Sequence, residues 1–403
     1  MIDLNQIFDL YLNYLPFLLS TMFYVIPILV GIIGWQLYLY YIRYKWVKKL
    51  DRILLEIKLP KEILKSPAGI ETLLAGMHQT SEGSLIDKYL SGRLRSWFAL
   101  EIVSQGGNVH FYINTEKKFR NLIESHIYSQ YPEVVVDLVD DYVHDIPYGV
   151  KGADDDMHAM VYELGKDDPY PIKTYIDFGL DKEKQETSTY VDPLASILEF
   201  FGNIQPYEQM WLQIMIMAAK DRKPKPEGKW HEKLKWQDEG KKIIEDLSSR
   251  KTESGFPKFL TKDSEKVVEA IGRKISKLGF DTGLRMLYFA PKDKMNGAYK
   301  GSMPTMFKQF NTLDLNEIKG RYSTSFDYPW EDMFGIRLSL MKARIFNAYR
   351  LRSYFWMPYP EKPFVLNTEE LATLFHFVGS HVSTPTIERI MSKRSEPPAD
   401  LPI

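Results

Sequence analysis

WFALEIVSQGGNVHFYIN, residues 97–114, holds two strands and the turn that joins them. Trp97 to Ser104 is the outgoing strand and Val109 to Asn114 the return, while Gln105-Gly106-Gly107-Asn108 supplies the glycine and asparagine chemistry of a hairpin. Upstream, Arg52 to Pro60 alternates Ile53, Leu55, Ile57 and Leu59 with Arg52, Glu56 and Lys58, a period of two that marks a strand. Between them, Gly69 to Gln79 places Ile70, Leu73, Leu74 and Met77 on one helical face. Downstream, Glu116 to Tyr131 carries Phe119, Leu122, Ile123, His126 and Ile127 at helical spacing, with Thr115 as expected N-cap and Pro132 as stop. Val134 to Val139 follows as a strand. The order β-α-β-β-α-β is that of a ferredoxin-like split unit, and the fold class is α+β.

Residues 151–315 echo that order. Ile172 to Phe178 is expected to be a strand, and Asp192-Pro193 to open a helix reaching Gly202, with Asp as N-cap and Pro at the first helical position. Glu208 to Ala219 is a strongly apolar strand. The charge-dense stretch after it, about 220–255, has only a narrow apolar stripe of Trp230, Leu234, Ile244 and Leu247 and reads as a helical insert where the first unit has its hairpin. Thr261 to Leu278 is a helix, Leu284 to Pro291 a strand and Gly297 to Asn311 a helix. The expected domains are an anchor at 1–50, a ferredoxin-like unit at 51–150, a second, inserted unit at 151–315, and a remainder at 316–403. That remainder holds a basic amphipathic segment, Met333 to Phe355, then a strand at Phe364 to Leu366, a helix from Thr368-Glu369-Glu370 and a proline-rich tail. Arg337, Lys342, Arg344, Arg350 and Arg352 make the basic segment a solvated helix face or, with Arg337, Arg344 and Arg350 foremost, a contact for phosphate or a partner.

Leu10 to Ile42 contains no charged side chain, in a chain that is 26% charged. A helix crossing the ~30 Å hydrocarbon core needs about 20 apolar residues. The span from Phe17 through Val25, Pro27, Leu29 and Ile33 to Trp35 and beyond is long enough. A cleaved signal peptide wants a positive front and a small-residue cleavage site; here Asp3 and Asp9 precede the span, and Trp35, Gln36 and a tyrosine run follow its core. Arg43, Lys45, Lys48 and Lys49 come directly after it, which places that side in the cytoplasm. The expectation is a single pass through the plasma membrane, N-terminus outside and body cytoplasmic, with membrane lipid as one partner.

The chemistry of the body is sparse. With no cysteine, disulfides, a thiol nucleophile and cysteine-based zinc sites are excluded. A net charge of −1 argues against a body that coats nucleic acid, so any nucleic-acid contact is weak or indirect. Gly-Lys pairs at Gly165-Lys166, Gly228-Lys229 and Gly240-Lys241 are followed by Asp167, Trp230 and Lys242, where a P-loop requires Ser or Thr. Asp137, Asp140, Asp141 and Asp145, and then Asp154, Asp155, Asp156 and His158, read as a solvated loop between domains. The alternative is a membrane-bound, nuclease-like enzyme holding a divalent cation on these carboxylates. No catalytic residue, metal ligand or cofactor is assigned.

Several stretches resemble a known family: Leu54 to Ile57, Phe98 to Val103, Val109 to Ile113, Glu124 to Pro132, Tyr170 to Tyr175, Val191 to Ala195, Leu366 to Phe377 and Glu396 to Pro402. Together they are similar to the N-terminal, non-motor region of conjugative-transfer and type IV secretion ATPases of the TraC-like and HerA/FtsK-like kind, in the stand-alone membrane-anchored form of candidate-phyla bacteria. The resemblance implies a docking subunit for a separate P-loop motor ATPase, with no catalysis of its own and with homo-oligomers left open. In fused relatives the helix holding Glu370, Leu371 and Phe375 and the tail holding Pro397 and Pro398 lead into the motor, so these are the expected docking residues. This chain ends at Ile403, where the motor would begin.

Overall fold

A computed structural model describes residues 4–60, 66–146, 148, 154–181, 192–220, 223–224, 233–248, 262–326, 328–378 and 389–390. In chain order its main elements are α1 (Leu4–Lys48), β1 (Arg52–Pro60), α2 (Ala68–Met77), α3 (Leu85–Tyr89), β2 (Trp97–Gln105), β3 (Asn108–Glu116), α4 (Arg120–Gln130), β4 (Val135–Val139), β5 (Asp155–Leu164), α5 (Pro193–Gly202) and β6 (Gln209–Ala218). Then come α6 (Trp236–Ser248), α7 (Lys262–Ile275), β7 (Gly279–Pro291), α8 (Gly297–Ser302), β8 (Ile318–Ser323), α9 (Ile336–Arg350), β9 (Phe364–Asn367), α10 (Thr368–Leu374) and β10 (Arg389–Ile390). The chain divides into two compact units, Met1–Leu50 with Glu82–Leu94, and Asp51–Ser81 with Arg95–Ile403.

The first unit is built on α1, whose Ser20–Lys48 portion is long and apolar enough to cross a membrane. Val25, Leu29, Ile33 and Trp35 are each about half exposed, so the helix shows apolar side chains without a polar face for water. Pro27 lies inside the unbroken helix. Within this unit α3 is closed by a capping box between Ser84 and Asp87, and Tyr89 sets its ring 6.1 Å from that of Trp35.

The second unit is a mixed α+β body around one large antiparallel sheet. Its strand order is β4-β1-β3-β2-β6-β7-β5-β8, with β9 beside the start of β7 and β10 parallel to the end of β1. The sequence of strands reads the same from either edge: fourth, first, third, second of one half, then second, third, first, fourth of the other. The halves join where β2 pairs with β6 over nine residues, from Trp97↔Met217 to Gln105↔Gln209. The hairpin at 97–114 is present as β2 and β3, and α6 and α7 fall between β6 and β7, where the first half has that hairpin.

Side-chain alternation divides the apolar residues between two faces. On one face, Phe98, Leu100 and Ile102 of β2 join Leu212, Ile214 and Ile216 of β6 and Leu284 and Met286 of β7. That face is covered by α2, α4, α5 and α10, through residues such as Leu74, Ile123, Ile197 and Leu371. On the other, Val103, Trp211, Leu287 and Phe289 pack against Ile345, Phe346 and Tyr349 of α9. Trp211 is fully buried, its ring 4.5 Å from Phe289, 5.0 Å from Tyr142 and 5.2 Å from Tyr349.

Several expectations are corrected. Residues 154–158, expected as an acidic interdomain loop, lead into β5, a strand with β7 on one side and β8 on the other. Charge at the strand's first residues hid the buried Met157, Ala159, Met160 and Val161 that drive it. Ile172 to Phe178 is not a strand: the Ile172 amide donates to Glu370 Oε1, that of Lys173 to the Phe310 carbonyl and that of Tyr175 to Thr373 Oγ1, so its backbone is spent on α10 and a neighbouring turn. The helix expected over Gly297 to Asn311 ends at Ser302, and 3₁₀ turns at Met303–Thr305 and Lys308–Phe310 follow because Pro304 cannot continue it. Thr115 stays in β3 rather than capping a helix; a 3₁₀ turn, Lys117–Phe119, precedes α4. β7 begins at Gly279, earlier than Leu284, and α7 stops at Ile275.

Candidate functional site

Pairing aligns Glu101 of β2, Gln213 of β6 and Arg285 of β7 in one row across the junction of the halves. All three are buried on the α9 face. Glu101 accepts from Gln213 Nε2 (2.6 Å), from the Tyr142 hydroxyl (2.8 Å), and from Nε and Nη2 of Arg352 (3.1 Å each). Arg352 also pairs with Asp141, and because Tyr142 gives its proton to Glu101, Tyr349 is the donor in the 2.6 Å contact between the two hydroxyls. Arg285 donates through Nε to Gln213 Oε1 (2.7 Å) and through Nη2 and Nη1 to the Ala348 (2.8 Å) and Ser353 (3.1 Å) carbonyls at the end of α9.

The cluster holds two carboxylates and two guanidiniums, so its formal charges cancel. Burial works against the Arg352 charge, but the adjacent Glu101 outweighs it and holds the guanidinium firmly protonated. Burial lowers Arg285 to about 10. The backbone of Arg352 is left-handed, φ +46°, a conformation that a non-glycine residue adopts at a cost. Tyr354 then lies flat on Gly283, where any Cβ would strike its ring. These groups latch the end of α9 across the β2–β6 junction.

A second buried network fixes α10. Asn367 caps it, Glu370 returns a bond to the Asn367 amide, and Lys274 of α7 donates to Glu370 Oε1 (3.1 Å). The whole of α10 is buried. Nearby, His376 Nε2 lies 2.8 Å from Asp192 Oδ2, and the Asp192 side chain also caps α5. Burial disfavours the His376 cation, yet Asp192 raises its pKa above the usual imidazole value.

The expected site residues separate accordingly. Val25, Leu29, Ile33 and Trp35 lie on the exposed apolar helix together with Pro27, while the side chain of Phe17 lies outside the described residues. Arg43, Lys45 and Lys48 fall in the last turns of α1, with Lys49 just beyond. Glu370, Leu371 and Phe375, expected to meet a partner, are buried and internally engaged; Pro397 and Pro398 lie outside the described residues. Of the basic segment, Lys342 pairs with Asp156 at 2.6 Å and Arg352 is interior, which leaves Arg337, Arg344 and Arg350 exposed. The acidic residues do not converge: Asp137 pairs with Lys58, Asp141 with Arg352 and Asp156 with Lys342. Among the described residues no group of three or more His, Asp or Glu is placed to hold a metal.

Burial pulls His158, on β5, down to about 4, with Lys300 and Lys342 adding to the effect. An unfolded imidazole takes up its proton near ~6.5, so between these values the unfolded chain binds more protons and acidification destabilises the fold. His158→Gln is expected to flatten the fall in denaturation midpoint between about pH 6.5 and 4; an unchanged slope would refute the assignment.

Sequence reading passed over one surface. Tyr328, Trp330, Met333, Phe334, Ile336 and Leu340 are between 54% and 84% exposed, on the loop before α9 and along its first turns. The rings of Tyr328 and Trp330 stack at 4.7 Å. The available signal was the density of large apolar residues between Tyr328 and Leu340, with Arg337 the single cation among them. Exposed apolar side chains grouped in this way make a candidate interaction surface.

These features define a mixed α+β body, built on an antiparallel sheet and carried behind one long apolar helix. A family model described as a domain of unknown function (DUF8128) matches residues 47–389, and the chain belongs to that family. No curated protein matches it.

Proposed function

We propose that the chain is a membrane-anchored docking subunit that does no chemistry itself and serves a separate translocation ATPase in a type IV secretion or conjugation-like machine. The observation that carries this reading is the exposed surface from Tyr328 to Leu340, whose aromatic, methionine and arginine content is that of a protein interface core. Two others support it. Tyr142, Tyr349 and Arg352 beside α9 and Glu370 on α10 are perturbed yet enclosed and paired, as architecture requires, and only Lys49, Leu50 and Asp51 separate the apolar helix from β1. Under this reading the basic flank of α1 is cytoplasmic and the N-terminus outside. Each half of the sheet is a ferredoxin-like unit in our reading, supported by the 4-1-3-2 strand order with intervening helices. The motor itself is inferred from the family resemblance of the sequence.

The test is purification of the full chain from native membranes. A P-loop ATPase should co-purify, and Phe334→Asp should cut its recovery about tenfold or more while leaving the melting temperature within about 2 °C, since the side chain is exposed. Recovery without an ATPase, or recovery indifferent to Phe334→Asp, refutes the assignment. For the anchor, Leu29→Arg with Ile33→Arg adds about 2.5–3.5 kcal/mol per arginine to insertion. The doubly substituted chain should leave the membrane fraction under alkaline carbonate extraction, and retention there would show that α1 is not the anchor.

A further inference from the structure

The outward face of α9 has a narrower pattern than its overall composition suggests. Ile336 and Leu340, at 58% and 65% exposed, are followed by exposed Ala343 and half-buried Asn347. Their spacing of four, three and four is the d-a-d-a seam of a heptad repeat. Arg337 and Arg344 then fall at successive e positions beside that seam, both exposed. The opposite face, Ile345, Phe346 and Tyr349, is committed to the sheet. α9 has four basic residues and no acidic one. Among the described residues the Arg337 guanidinium donates to the Glu331 carbonyl and lies over the Phe326 ring, and Arg344 meets Glu361 through one nitrogen at 3.4 Å, so each guanidinium keeps donors for a further carboxylate.

We infer that α9 receives an amphipathic helix of another protein, apolar at its own a and d positions and acidic beside them, packed along Ile336, Leu340 and Ala343 with carboxylates opposite Arg337 and Arg344. This rests on the docking reading above and names its partner's chemistry. Two other occupants fit less well. A second copy of α9 offers no carboxylate: packed antiparallel it sets Arg337 and Arg344 against like charges, and packed parallel it faces them with Ser339 and Phe346. A lipid surface calls for a broad apolar face along the helix, whereas on α9 itself, beyond the aromatic loop that precedes it, the seam is two positions wide and includes Asn347. Ala343 lets a partner backbone approach closely, and a polar residue at one a position is a known determinant of register.

The test uses the full chain in phosphatidylcholine nanodiscs and two labelled synthetic peptides of about three heptads, leucine at a and d, with either glutamate or lysine at e and g. The glutamate peptide should bind at least about tenfold tighter than the lysine peptide, more weakly as salt rises, and Arg337→Glu with Arg344→Glu should invert that order. Leu340→Asp should abolish both. Equal binding of the two peptides, or no inversion, overturns the inference. So does binding of anionic vesicles that Leu340→Asp removes, or disulfide-linked dimers of Leu340→Cys, readable because the chain has no other cysteine. If the peptides fail while Phe334→Asp still costs ATPase recovery, the helix assignment falls and the docking reading stands. If the peptides behave as stated but no ATPase is recovered, the reverse holds.

Discussion

Replacement of Arg352 by alanine is expected to destabilise the body by about 3–5 kcal/mol, the range for removing one partner of a buried ion pair. The side chain is 3% exposed and faces Glu101, which is fully buried. Its loss leaves that carboxylate with Gln213 and Tyr142 as donors and, among the described residues, no cation in direct contact, Arg285 and Arg52 acting on it only from further away. Against a typical total of about 5–15 kcal/mol, the variant should unfold at distinctly lower denaturant. Two comparisons separate charge from backbone. Arg352→Gly relieves the positive φ and should be less destabilised than Arg352→Ala by about 1 kcal/mol. Arg352→Met combined with Glu101→Leu removes both charges and should recover much of the loss. Denaturant titration of the full chain in nanodiscs reads all three. A midpoint for Arg352→Ala within about 0.5 kcal/mol of the parent would show that the latch contributes little.

That latch also shows where sequence reading stops. The hairpin, the flanking strands and the insertion after β6 were legible because alternation and helical spacing are local signals. The pairing of β2 with β6 is not local: Glu101 and Gln213 each look like a polar break in an apolar strand until register sets them side by side. Arg352 is the sharpest case. Among Arg337, Arg344 and Arg350 it reads as one more charge on a basic helix, yet the chain turns left-handed there and carries it inward. The same limit hid β5, whose acidic first residues outweighed the apolar residues behind them. It also hid the outward seam of α9, since periodicity reports a stripe without saying which stripe faces the core.

Lys274→Met is the other large effect, and it bears on where a partner can dock. The Lys274 and Glu370 side chains are both fully buried, 3.1 Å apart. Glu370 also accepts from the Ile172 and Asn367 amides at 2.9 Å, so one carboxylate closes the α10 capping box and holds the irregular segment at Ile172. Methionine preserves the packing of the lysine stem and deletes the charge. At neutral pH the cost should be about 3–5 kcal/mol. Burial already raises the Glu370 pKa against the pull of Lys274, and removing Lys274 raises it further. Above the ordinary carboxylate pKa the folded variant then binds more protons than the unfolded chain, so its deficit should narrow as pH falls from 7 towards about 5. Adding Glu370→Gln should remove that pH dependence; a deficit constant with pH would mean that charge burial is not its source. A partner that grips Glu370, Leu371 or Phe375 has to extract α10 against this network. The exposed surface from Tyr328 to Leu340 asks for no such opening, which is the energetic reason that the proposed docking is assigned there rather than to the helix that the sequence first suggests.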